Sequence, residues 1–219
     1  MNLELPFLKE EGLLEILEQI GRKDDLVLKA LELSKDIHKD EIRKWDNSRA
    51  LETHIYPTIK FLIAHYQAYN KIPSLEVIAA ELIHDTKERN RNIENEFYKK
   101  EFNDTVYEYV MAVTKPPYQD YEGNGDFEKK RKVNEVYFPK ISNSPIEVKL
   151  MKLADRYSNL LTINSNTPPE KIAFWLREME DFYLNLALKN SSNYFYYRMR
   201  NRVEEIKALE LNILAGKQL

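Results

Sequence analysis

A histidine–aspartate pair follows the most apolar segment of the chain. His84 and Asp85 come directly after a segment, Leu75 to Ile83, that leaves little polar surface. Titratable groups at the end of a buried helix are costly unless they are paired or solvated. They can form an internal hydrogen-bonded pair, reach solvent at the helix end, or bind a metal ion. From this pair alone, an internal hydrogen-bonded pair and exposure to solvent together rank above metal binding.

A second polar group lies on one face of another predicted helix. Asp155, Asn159 and Thr162 follow one another at spacings of four and three residues, so they share one side of a helix beside its apolar stripe. An acid, an amide and a hydroxyl there can line a polar cleft. They can equally form a half-exposed flank in which Asp155 pairs with Lys152 or Arg156. The spacing favours neither interpretation.

His54 supplies a second imidazole near the start of a further apolar stripe. A single histidine in such a position is more often a packed or capping residue than a ligand. With His84, Asp85 and Asp155, however, it completes a set of two imidazoles and two carboxylates. Such a set suits Mn²⁺, Fe²⁺ or Zn²⁺ with coordination positions left open for water.

The elements that position these side chains are predicted to be helices. The chain has only five glycines, and its apolar residues recur mostly at spacings of three and four, which indicates helices rather than a sheet. The expected fold class is therefore all-α. Helices are predicted at about 13–20, 24–37, 54–69, 73–83, 106–113, 146–163, 168–188 and 193–215.

The segment from Thr114 to Pro145 differs from the rest in composition. Its glycines and prolines lie in a polar stretch, which predicts a long loop over 116–145. Loops of this length in compact domains are usually functional lids or disordered segments. The basic run Lys129–Lys132 within it is more often solvated surface than a phosphate contact.

Charge and composition exclude several classes of protein. The 33 Lys and Arg against 36 Asp and Glu give a net charge of −3, without the basic excess of a non-specific DNA or RNA binder. The chain has no cysteine, so a metal would need His, Asp or Glu ligands. No apolar run approaches the roughly 20 residues of a membrane span. Met1–Glu11 lacks the pattern of a signal peptide, so a cytoplasmic protein is expected.

Several motifs follow one another between residues 25 and 165: His38, Arg43-Lys44, His54, His84-Asp85-x-x-Glu88, Val113-Thr114-Lys115 and Leu153-Ala154-Asp155-Arg156-x-x-Asn159-x-x-Thr162. In order and approximate spacing they resemble the HD-type hydrolase domain of RelA/SpoT enzymes and their small single-domain relatives. The resemblance implies an HD-domain helical bundle with additional C-terminal helices. A single domain over 1–219 is expected, with 166–219 as packing helices.

The resemblance also implies roles for individual residues. His54, His84, Asp85 and Asp155 would hold one divalent metal, usually Mn²⁺ in this family, although Zn²⁺ or Fe²⁺ also suits the set. Glu88 would orient or deprotonate the attacking water. Catalysis is assigned to Glu88 and to its neighbour Arg89, which stands where the family usually has a second acid.

The implied substrate is the nucleotide (p)ppGpp. Arg43 would pack against the guanine, Lys44 would lie near the phosphates, and Asn159 and Thr162 would contact the nucleotide. The implied reaction removes the 3′-pyrophosphate and lowers alarmone levels in the stringent response. The alternatives are another nucleotide or phosphate ester as substrate, or a non-catalytic nucleotide-binding sensor. The sequence predicts no oligomeric state.

Overall fold

The computed structural model describes residues 6–216, with side-chain surroundings as far as residue 208. Over that range the chain is helical, and its β-type pairing is limited to an isolated bridge between Ile42 and Arg49. The predicted all-α class is therefore confirmed. No helix in the described range is long and apolar enough to cross a bilayer. The expectations for Met1–Glu11 and for 166–219 fall partly outside the described residues.

Twelve α-helices are present in the described residues, with π-helical turns before α3 and after α10 and a 3₁₀ turn before α8. The helices are α1 (Glu10–Gln19), α2 (Asp25–His38), α3 (Tyr56–Ala68), α4 (Leu75–Leu82), α5 (Thr86–Arg89), α6 (Asn95–Glu101), α7 (Asp104–Val113), α8 (Asp126–Asn143), α9 (Ile146–Leu161), α10 (Pro169–Glu178), α11 (Leu184–Lys189) and α12 (Asn193–Gly216); the π turns are Leu51–Ile55 and Met179–Tyr183, and the 3₁₀ turn is Tyr118–Asp120.

Helix α4 is buried on nearly all sides. Its N-cap, Ser74, accepts a hydrogen bond from the backbone N–H of Val77 at 3.3 Å, which satisfies one of the free donors at a helix start. Val77 to Leu82 are all buried, and α4 packs against α2, α7 and α9. As predicted, the helix ends directly before His84 and Asp85. The turn after it therefore begins inside the core.

Helix α9 lies at the centre of the bundle and packs against α3, α4, α7, α8 and α12. Its apolar face buries Leu150, Leu153, Ala154 and Leu160. The polar residues beside that face are consequently held close to the ends of α3 and α4. This arrangement brings the predicted site residues into one region.

The predicted loop over 116–145 is wrong for most of its length, because α8 spans Asp126–Asn143. Val133, Tyr137 and Ile141 recur every four residues and are buried, a helical period that the Gly- and Pro-rich composition concealed. Gly125, at φ +132°, forms the irregular turn that precedes the helix, and Pro139 lies inside it. The segment before Gly125 contains only the 3₁₀ turn.

The C-terminal helices pack on the bundle. Helix α12 packs against α9, α10 and α11 and buries Phe195, Met199, Val203 and Ile206. The helix predicted from Pro168 to Leu188 is interrupted by the π turn that separates α10 from α11. A single domain over the whole chain stays a prediction.

Candidate active site

Three separate elements bring the four predicted metal ligands together. His54 lies in the π turn before α3, His84 and Asp85 follow α4, and Asp155 lies in α9. One ligand atom from each of His54, His84 and Asp85 lies within 4.8 Å of the others. Oδ1 of Asp155 lies 3.4 Å from Nε2 of His54 and 3.9 Å from Nε2 of His84.

Hydrogen bonds on the far side of each imidazole orient both histidines. Nδ1 of His84 lies 2.7 Å from the backbone carbonyl of Glu81; because a carbonyl only accepts, Nδ1 carries the proton. Nδ1 of His54 lies 3.0 Å from Oγ of Ser158, and that hydroxyl donates to the His54 carbonyl. Each ring therefore turns Nε2 towards the carboxylates, as outer hydrogen bonds do for metal-binding histidines.

The environment of His84 fits a bound cation. Its Nε2 is buried without a hydrogen-bond partner among the described residues, although Oδ1 of Asp85 lies 3.3 Å away. A nitrogen lone pair and a carboxylate repel each other unless a proton or cation lies between them. Burial opposes protonation of His84, but Asp85, Glu81 and Asp155 outweigh it and raise its pKa to about 9. Nitrogen and oxygen donors of this kind suit Mn²⁺, Fe²⁺ or Zn²⁺.

Asp155 is held by two neighbours on its own helix. Nζ of Lys152 lies 2.5 Å from Oδ2, and Nδ2 of Asn159 donates to Oδ1 at 2.6 Å. Burial opposes ionisation, but Lys152 and the two histidines lower the pKa of Asp155 to about 2. Asp155 therefore pairs with Lys152 and also faces the imidazoles, but the predicted half-exposed flank is wrong here, because Asp155 and Thr162 are both buried.

The predicted nucleotide-binding residues also meet. Nη2 of Arg43 donates to Oγ1 of Thr162 at 2.8 Å and to Oδ1 of Asn159 at 3.1 Å. Arg43 lies in the segment between α2 and the first π turn, where Nε lies 3.7 Å from Oδ2 of Asp46. These contacts join that segment to the C-terminal end of α9, next to Asp155.

Glu88 and Arg89 in α5 have different surroundings. Oε1 of Glu88 accepts a hydrogen bond from the backbone N–H of Lys115 at 2.6 Å. Burial, reinforced by Asp85, raises the pKa of Glu88. Arg89 is instead half exposed and forms an ion pair with Glu41.

A cleft of about 800 Å³ opens beside Glu88. Its walls combine cations with aromatic rings, which suits a phosphorylated ring compound. Lys44, predicted to lie near phosphates, is in this wall. Sequence reasoning missed Trp45 and the α10 residues Lys171 and Trp175. Trp45 directly follows Arg43-Lys44 in the sequence, and its position beside that motif could have indicated a place in the cleft. Lys171 and Trp175 could not be predicted in this way, because only tertiary packing brings α10 to the cleft.

Comparison with known proteins identifies the fold. No protein-family profile matches the sequence, and no curated protein sequence matches it significantly. Among solved structures, the chain is similar to a metazoan ortholog of SpoT that hydrolyses ppGpp and plays a role in starvation responses. The TM-score is 0.58 at 19% sequence identity, over 83% of this chain and 96% of that one. At this identity the match establishes a shared fold, and it confirms the fold that the motifs implied.

Proposed function

We propose that the protein is a metal-dependent phosphohydrolase that removes the 3′-pyrophosphate from (p)ppGpp. The observation that carries the proposal is the convergence of two imidazoles and two carboxylates from three separate elements beside a cationic cleft. The fold shared with a ppGpp-hydrolysing SpoT ortholog supports the choice of substrate. A cytoplasmic location and the absence of a nucleic-acid partner stay predictions.

His54, His84, Asp85 and Asp155 would hold one divalent cation, with Mn²⁺ as the expected ion. Such an ion, when bound, lowers the pKa of a water ligand and polarises a phosphoryl oxygen. Glu88 lies on the neighbouring short helix and would accept the proton of the attacking water. Its raised pKa suits a carboxylate that must take up a proton near neutral pH.

Arg43 and the cleft would bind the nucleotide. The Arg43 guanidinium is fixed by Asn159 and Thr162, and a fixed guanidinium plane can stack on a purine. Lys44 and the other cations of the cleft would offset the phosphate charges.

The test is hydrolysis of ppGpp by the purified protein in Mn²⁺, with separation of the products. We expect GDP and pyrophosphate, and we expect no products from the His84→Ala/Asp85→Ala variant. Asp36→Ala, which alters an exposed acid on α2, is the control and should behave like the unaltered protein. Hydrolysis that survives in the double variant would refute the proposal.

The alternatives correspond to other outcomes of the same experiment. Turnover of a different nucleotide or phosphate ester, but not of ppGpp, would keep the reaction class and change the substrate. Arg89, a cation where the RelA/SpoT pattern has an acid, is the observation that favours this alternative. Nucleotide binding with metal bound and no turnover would instead indicate a sensor.

A further inference from the structure

One part of the cleft holds three lysines that form no ion pair among the described residues. Lys44 lies after α2, Lys130 in α8 and Lys171 in α10, and all three line the cleft. None of the three pairs with a carboxylate in the described part of the chain, although Asp126 and Glu170 line the same cleft. The fourth lysine of the cleft lining does pair, since Nζ of Lys115 lies 3.4 Å from Oε1 of Glu178.

Lys171 is held between two tryptophans. Its Nζ lies 4.8 Å from the ring centroid of Trp45 and 4.5 Å from that of Trp175. Lys44 Nζ lies 4.8 Å from Trp45 as well. Cation–π contacts at these distances orient an ammonium group without neutralising its charge. The ammonium of Lys171 therefore remains able to bind an anion.

The charges that act most strongly on Lys171 are also positive. The pKa of Lys171 is lowered to about 8. Burial is the largest cause, and the positive charges of Arg43, Lys130, Lys44 and Arg156 follow. Bringing like charges together in a partly buried wall costs free energy that a bound anion would recover. The four predicted metal ligands do not line this cleft, so the cluster is separate from them.

We propose that Lys171, held by Trp45 and Trp175 and assisted by Lys44 and Lys130, forms an anion subsite separate from the metal ligands. It would take a phosphate or pyrophosphate group at the end of the ligand that does not react. The identity of the ligand as a nucleotide rests on the proposed function, whereas anion binding by the subsite does not.

Tryptophan fluorescence reports on this subsite directly, because Trp45 and Trp175 are the only tryptophans of the chain. The protein, freed of metal with EDTA, is titrated with sodium pyrophosphate at constant ionic strength. We expect a saturable change in emission. Lys171→Gln should weaken the apparent affinity about tenfold, the effect of losing one hydrogen bond to a charged group.

Two further variants make the test specific. Lys132→Gln also removes one positive charge, but from a position on α8 that does not line the cleft. This variant should bind pyrophosphate like the unaltered protein. Lys171→Arg keeps the charge and should retain most of the affinity, and thermal unfolding of each variant verifies folding. The subsite is refuted if emission does not saturate, if Lys171→Gln binds normally, or if Lys132→Gln weakens binding equally.

The two proposals fail separately. If the protein binds pyrophosphate at Lys171 but does not hydrolyse ppGpp, only the proposed function is wrong. If it hydrolyses ppGpp, Lys171→Gln should raise KM several-fold more for ppGpp than for guanosine 3′-diphosphate, which lacks the second phosphorylated end. An equal effect on both substrates would overturn the role of Lys171 in specificity.

Discussion

The guanidinium of Arg89 forms an ion pair with Glu41, whose carboxylate also lies 2.6 Å from Nδ1 of the buried His38. The cation that stands where the RelA/SpoT pattern has an acid is thereby neutralised by a residue from the segment after α2. The Arg89 guanidinium contacts Glu41, whereas the neighbouring Glu88 accepts a hydrogen bond from the backbone N–H of Lys115. The pairing offers a physical reason why a cation can be accommodated beside the site.

Arg89→Ala is therefore expected to reduce kcat/KM for ppGpp less than tenfold, because its half-exposed guanidinium contacts Glu41, whereas Glu88 is held by the backbone of Lys115. Glu88→Gln should reduce it at least about a hundredfold, as expected for loss of a general base. Steady-state kinetics of the two variants provides the comparison. A loss in Arg89→Ala as large as in Glu88→Gln would restore the catalytic role that the sequence assigned to Arg89.

Lys152 is expected to substitute for part of the metal charge when no metal is bound. Lys152→Met leaves the buried Asp155 without its cation at 2.5 Å, which should cost about 3 kcal/mol in the metal-free protein. Mn²⁺ should restore part of the loss because it binds the native state. Thermal unfolding in EDTA and in Mn²⁺ measures both effects. The control is Lys149→Met on the same helix; a variant insensitive to Mn²⁺ would contradict the ligand assignment.

Glu178 should be essential for the stability of the C-terminal helices. Its carboxylate lies 3.0 Å from Nη2 of Arg156 and 3.4 Å from Nζ of Lys115, and all three side chains are largely buried. Glu178→Gln leaves two cations unpaired and should lower the free energy of unfolding by about 3 kcal/mol. Urea denaturation tests this against Glu180→Gln, which alters a half-exposed ion pair. Similar losses in both variants would argue against the buried pair.

His65 should make stability depend on pH. Burial, with a smaller contribution from Lys71, lowers its pKa in the folded protein to about 4, whereas an unfolded histidine titrates near about 6.5. Between these two pKa values the unfolded chain binds more protons than the folded protein. The contribution of the neutral His65 to stability is therefore complete above about pH 6.5 and is lost as the pH falls towards 4.

His65→Phe removes the titrating group, and its ring should keep the stacking contact with Phe195 at 5.2 Å. The difference in Tm between the unaltered protein and the variant should therefore change across pH 4 to 6.5 and stay constant above it. Measurements in EDTA keep metal binding out of the comparison. A difference independent of pH would show that His65 is not responsible.

The helices that carry the candidate ligands were predictable from the sequence because their signals are local. The apolar run of α4 and the stripe of α9 have helical periods within one segment, so the positions of His84, Asp85 and Asp155 on their elements followed directly. Helix α8 was missed because Gly125 and Pro139 outweighed the weaker period of its few buried residues. Composition is an average over a segment, whereas burial depends on a few positions within it.

The types of the donor residues, and hence the prediction of a metal-binding set, depend on the sequence alone. Their distances depend on packing: His54 reaches Asp155 only because α3 packs against α9. The proposed anion subsite is the extreme case: Trp45 directly follows the Arg43-Lys44 motif, but Lys171 comes from a distant segment without a recognisable motif. Periodicity and side-chain chemistry are properties of neighbouring residues, but a shared cleft results from non-local packing that no local pattern encodes.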